Sequence, residues 1–135
     1  MDAVKLPHLQ ALLLADAVDQ GERGKKTLKG IFSFFLLPSL PASASFNVFL
    51  KWSGHEKGEY KQKLVIEDPN QKKLVEFESP CIIPEEGGSQ EVVLFLDNFL
   101  FREYGKYKIS VFLNDQEINS VFMTVTKPIT QKEEV

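Results

Sequence analysis

Few side chains in this sequence have chemistry to offer: two histidines, one cysteine, three tyrosines and a scatter of aspartates in turns. His8 follows Pro7 near the start, and His55 lies in the loop SGHEKG at 53–58. Neither has the H-x-x-x-H or H-E-x-x-H partner that a zinc site needs, so both read as exposed loop histidines. Cys81 sits in SPCIIPEE at 79–86. A nucleophilic thiol needs an adjacent base and surroundings that lower its pKa; no neighbour signals either, and a structural thiol is expected. Asp68, Asp97 and Asp115 supply about one carboxylate per turn. Calcium wants several oxygens converging, whereas turn formation by Asp-Pro and Asn-Asp accounts for these residues without a cation. Gly87 and Gly88 follow two glutamates, a context that repels phosphate. No catalytic residue, metal or cofactor is expected.

The tyrosines are more informative. In FREYGKYKIS, at 101–110, Glu103, Gly105 and Tyr107 occupy alternate positions, with one residue between each. In immunoglobulin-like sandwiches a tyrosine near the start of strand F bonds its hydroxyl back to the upstream backbone and locks the corner from strand E. Gly105 would permit the tight bend, Glu103 would accept bonds from turn amides, and Tyr107 would begin a strand whose Ile109, Val111 and Leu113 face the core. The triplet is a structural corner rather than an acid or base. Trp52 on an early central strand agrees, while the absence of a cysteine pair removes the inter-sheet disulfide of antibody domains.

The elements that must hold this corner are strands. Phe46, Val48, Leu50 and Trp52 alternate with Asn47, Phe49 and Lys51, a period of two rather than a helical stripe. Turn chemistry such as GERG, DPNQKK and PEEGG separates runs near 9–19, 26–37, 45–53, 59–67, 73–79, 90–97, 106–113 and 117–126. This pattern predicts an all-β, immunoglobulin-like antiparallel β-sandwich of about eight strands. The run 9–19 also satisfies a helical period through Leu9, Leu12, Leu13 and Asp16, and strand and helix both remain open there. One domain over 1–125 and a flexible C-terminal tail over 126–135 complete the expected organisation.

Composition narrows the partners. A net charge of −3 gives no basic field to draw phosphate backbones, so nucleic acid is not expected. No apolar run is long enough to cross a membrane as a helix. ALLLADAV at 11–18 lacks a basic leader and is interrupted by Asp16, so it does not read as a signal peptide. A lone cysteine suits a reducing compartment, and a cytoplasmic protein is expected. Eleven phenylalanines are a heavy supply for 135 residues, and strand parity turns some of them outward. Phe112, Ile118 and Phe122 should share an outward face, with Phe49 and Phe95 outward on their own strands. A contiguous patch of that kind marks an interface. The expectation is therefore a non-enzymatic module that binds a protein partner or self-associates as a homodimer. The alternative is a small-ligand or carbohydrate-binding module built on Phe49, Tyr60 and the loop at His55.

The order of ALLLADAV, GKKTLKGIFSFFLLPSLPA, LVIEDPNQKKL and FREYGKYKISVFLNDQEI, spanning about 9–125, resembles a family of small bacterial β-sandwich proteins with no assigned function. The resemblance implies the fold and a bacterial source and carries no site residues with it.

Overall fold

The computed structural model describes residues 6–129. They form nine strands: β1 (His8–Gln20), β2 (Lys26–Phe32), β3 (Phe34–Leu36), β4 (Ala42–Ser53), β5 (Gly58–Glu67), β6 (Lys73–Ile83), β7 (Ser89–Phe101), β8 (Gly105–Leu113) and β9 (Gln116–Thr126). One sheet has the order β2-β1-β4-β7 and the other β3-β9-β8-β5-β6. The two pack face to face as a β-sandwich. The run expected over 9–19 is a strand, and a short helical turn, Glu22–Gly24, sits at the tip of the β1–β2 hairpin.

The core follows from parity. Phe46, Val48, Leu50 and Trp52 of β4 face Leu64 and Ile66 of β5, Ile109, Val111 and Leu113 of β8, and Met123 and Val125 of β9 in one buried cluster. Each large apolar side chain sealed this way stabilises the fold by about 1.5–3 kcal/mol. At one end the surplus of phenylalanine is used up. Rings of Phe32, Phe35, Phe46, Phe99, Phe101 and Tyr107 lie 4.6–6.5 Å apart between centroids, mostly tilted or edge to face, the arrangement their quadrupoles favour.

Two features depart from the sequence reading. The expected strand 26–37 is two strands, because the chain leaves one sheet and enters the other at Ser33. Phe32 and Phe35 both turn inward across this switch, three positions apart, where an unbroken strand would place inward residues two apart. The second segment, β3, runs parallel to β9, so the sandwich is antiparallel except at that edge. The strand expected over 73–79 continues to Ile83, carrying Pro80 and Cys81. Proline is tolerated there because β6 is the edge of its sheet.

The β1–β2 hairpin does not lie flat. Glu91 of β7 is level, through Lys51, with Ala11 on β1, whereas Lys26 pairs with Gln20, far along the same strand. In a flat sheet these levels would be about 30 Å apart, yet Lys26 Nζ meets Glu91 Oε1 at 2.5 Å. The hairpin must therefore bend back over the outer face of its own sheet. The bend has a local cause at Gly30, whose φ of +65° suits glycine and over which the Asp16 carboxylate occupies the space a Cβ would need.

Thr126, the first residue of the expected tail, is the last residue of β9; residues 130–135 of that tail lie outside the described residues.

Candidate functional site

The tyrosine corner between β7 and β8 is closed by hydrogen bonds. Tyr107 Oη donates to Glu103 O at 2.8 Å and accepts from Glu103 N at 3.3 Å. Its ring is buried, and that burial raises the phenol pKa. Gly105 has φ +132°, and a Cβ there would come within 2.9 Å of Pro69. The Glu103 carboxylate bonds a side-chain amide, Asn70 Nδ2, at 2.6 Å rather than turn amides. Asp68 Oδ1 accepts from Asn70 N and Lys72 N at 2.8 and 2.9 Å, closing the turn below. The side chains of Tyr107, Glu103, Asn70 and Asp68 are thus bonded to one another or to the backbone of this corner.

The cysteine and the two remaining turn aspartates are likewise held by the fold. Cys81 is sealed on β6, where desolvation pushes its thiol up to about 11, away from reactivity at neutral pH. Asp97 accepts from Ser45 Oγ at 3.0 Å, and Asp115 pairs with Lys61 at 2.8 Å, which lowers its carboxyl pKa and raises that of the lysine. His8 and His55 are exposed. Among the described residues, no three of His, Cys, Asp and Glu gather as a metal site would require.

The five outward candidates are not brought together. Phe49 and Phe95 share the outer face of the four-stranded sheet, Phe49 opposite Val93 and Phe95 opposite Asn47. Phe49 is nevertheless only 7 % exposed, and Phe95 is 57 % exposed. Phe112 and Phe122 lie on the outer face of the other sheet, on neighbouring strands but at different levels. Lys108 stands opposite Phe122, and Lys63 and Glu117 stand opposite Phe112. Each ring carries a lysine over its face, Lys63 Nζ at 4.8 Å from Phe112 and Lys106 Nζ at 5.8 Å from Phe122. Ile118 packs partly buried against the core, because the register shifts between Val111 and Phe112 and strict parity fails at that point of β9.

What does gather is an apolar notch at the sheet crossover. Phe34 (54 % exposed), Ile31 (58 %) and Phe122 (51 %) rim a concavity of about 380 Å³ floored by Leu12, Leu13 and Val121. β2 and β3 shape it by diverging at Ser33, and β9 is held alongside by Thr124 N bonding Ser33 O and Leu37 N bonding Thr126 O, both at 2.9 Å. Exposed apolar side chains scattered singly are ordinary; three around one hollow are not.

A family sequence profile matches residues 10–126. The chain belongs to DUF6941, a family of unknown function. No curated protein sequence matches this DUF6941 member. Among solved structures it is similar to a β-glucosidase of Erythrobacter marinus, with 16 % identity and a TM-score of 0.50 over 90 % of this chain and 15 % of that one. It also matches a β-glucosidase of Listeria innocua in complex with isofagomine, with 10 % identity and a TM-score of 0.48 over 93 % of this chain and 17 % of that one. The chain thus spans under a fifth of the length of the structures it matches, and at 16 % identity the first likeness concerns the fold alone.

Sequence reasoning passed over Gln62 in this DUF6941 chain. Trp52 Nε1 donates to Gln62 Oε1 at 2.8 Å, and Gln62 Nε2 donates to Pro80 O at 3.0 Å and Gln90 Oε1 at 3.3 Å. One buried amide thus joins both sheets and the β6 edge. The signal was present: Gln62 holds the same parity as Leu64 and Ile66, a polar residue at an inward position. Phe34 and Ile31 were missed because their exposure follows from the switch at Ser33, which an unbroken alternation hides.

Proposed function

We propose that this protein is a non-enzymatic interaction module that docks a partner protein at the crossover notch. The observation that carries this reading is the exposure of Ile31, Phe34 and Phe122 around one hollow. The occupant is a protein segment that seats apolar side chains between these residues and turns acidic ones toward β8. Charge supports that choice, since Lys106 and Lys108 flank Phe122 on the neighbouring strand. Support for a non-enzymatic role comes from the titratable groups, whose shifted pKa values arise in surface ion pairs, the sealed thiol and the tyrosine corner.

The reading is tested by selecting a displayed random-peptide library on the purified protein and re-measuring the winners on Phe34→Lys and Phe122→Lys. Enrichment of apolar peptides with acidic flanks, lost in both variants at unchanged melting temperature, is the expected outcome. Peptides that bind the variants as well as the parent would remove the notch from the account.

The sandwich itself is read as immunoglobulin-like. The orders β4-β7 and β9-β8-β5 follow strands B-E and G-F-C, and Tyr107 stands at the corresponding E–F corner. A bacterial, cytoplasmic protein with one reduced cysteine belongs to the same reading. The small-ligand alternative has a place to act, an open cleft of about 560 Å³ lined by Tyr60, Lys61, Glu78 and Asn114. Phe49 is buried on the other sheet, which leaves Tyr60 as that cleft's one aromatic wall. Saturable quenching of Trp52 fluorescence by a compound library, abolished in Tyr60→Ala, would favour it over protein docking.

A further inference from the structure

We infer that β7 is a pairing edge through which a second copy of this chain adds antiparallel to the four-stranded sheet, with the two-fold axis at Val93. The inference is independent of the notch and rests on a comparison of the four strands that end the two sheets. Unpaired strand edges recruit other strands unless they are short, charged, kinked or interrupted by proline. β3 has three residues. β2 carries Lys26, Lys29 and the kink at Gly30. β6 carries Lys73, Glu76, Glu78 and Pro80. β7 runs 13 residues, pairs among the described residues on one side only, with β4, and from Val92 to Leu96 reads VVLFL, without charge, proline or glycine. Its irregularity, the shift opposite Ala44 and Phe46 with Asn98 at φ +52°, comes after this stretch and leaves it straight.

Charge and parity choose both the partner and the register. A two-fold axis through Val93 sets Val93 against itself, Val92 against Leu94 and Glu91 against Phe95, so core-facing residues of one copy stay level with core-facing residues of the other. It also opposes no like charges, and Glu91 is already neutralised by Lys26. Moving the axis to Leu94 would set Glu91 against Asp97. On the outer face, the exposed side chains of Val93 and Phe95 from both copies would then form one strip across the joined sheets, the isologous contact a closed dimer requires.

The test is sedimentation velocity over a hundredfold concentration range, with amide hydrogen exchange at each concentration, on the parent, Val93→Lys and Phe95→Lys. A dimer is expected, with alternate amides of 92–96 exchanging at least tenfold more slowly as concentration rises. Each lysine variant should weaken association at least tenfold, with its melting temperature unchanged at concentrations where the parent is monomeric; Phe95→Lys, farther from the axis, serves if Val93→Lys does not fold. A parent that stays monomeric overturns the inference. So does a dimer that survives Phe95→Lys, or one broken by Phe34→Lys instead, which would move self-association to the notch.

Discussion

The β7–β8 corner and the β2–β3 crossover both mark places where the chain passes between sheets, and they end in opposite conditions. At the corner Tyr107, Glu103, Asn70 and Asp68 satisfy one another, and Gly105 lets Pro69 approach closely. At the crossover the backbone is satisfied by β9, while Ile31, Phe34 and Phe122 are left more than half exposed around a hollow. A junction can thus be stabilised by backbone pairing alone and leave its side chains free for another molecule. Substitutions at the corner should therefore cost stability, and substitutions at the crossover should cost association.

The sharpest break would come from Gly105→Val. It puts a β-branched side chain at φ +132° and drives its Cβ into Pro69. Backbone strain of about 1–3 kcal/mol and overpacking of similar size add to a loss of about 3–4 kcal/mol. Urea unfolding should show the midpoint falling at unchanged slope; a loss below about 1 kcal/mol would mean that the corner yields easily and is not the rigid member of the pair.

A sealed group elsewhere extends the contrast through pH. Burial raises the Cys81 thiol from 9.0 to about 11. Below pH 9 both the folded and the unfolded chain hold the proton, and the full stability is present. Between pH 9 and 11 the unfolded chain releases a proton that the folded chain keeps, so stability falls as pH rises, by roughly 2–3 kcal/mol at the upper end. Cys81→Ala lacks this slope, and the difference between parent and variant unfolding curves at pH 8, 10 and 11 isolates it. Parallel curves would show that the thiol is not held protonated.

Tyr107→Phe is gentler. It keeps the ring in its aromatic cluster and removes one hydroxyl that both donates and accepts at Glu103. The expected loss is about 1 kcal/mol, the net worth of such a bond, with association unchanged.

How much of this could be read in advance divides along the same line. The corner was legible because its spacing of Glu103, Gly105 and Tyr107 is local, and the strands of the core were legible because alternation is local too. Trp52 could be placed inside, but its partner Gln62 is joined to it only through the packing of two sheets. The candidate surface was less legible. Phe122 was named, yet the neighbours that give it meaning, Ile31 and Phe34, come from a strand that switches sheets at Ser33. Phe49 was named as outward, and parity is right about its direction. It cannot report that the hairpin bent at Gly30 returns over that face, as the Lys26 to Glu91 pair requires.

The smallest expected effect on stability is at the crossover, and it discriminates most. Phe122 is 51 % exposed, and its ring already has Lys106 Nζ above it at 5.8 Å. Replacing it by lysine removes little buried area and should change stability by less than about 0.5 kcal/mol, the range of ordinary surface substitutions. Phe35, one position from Phe34 but inward, touches Phe32, Phe46 and Phe101, and Phe35→Ala should cost about 3 kcal/mol or more. Melting curves of the two variants side by side decide whether the crossover presents one sealed and one open layer. If Phe122→Lys destabilised the fold as much as Phe35→Ala, the notch would be part of the core, and the distinction between the two junctions would collapse.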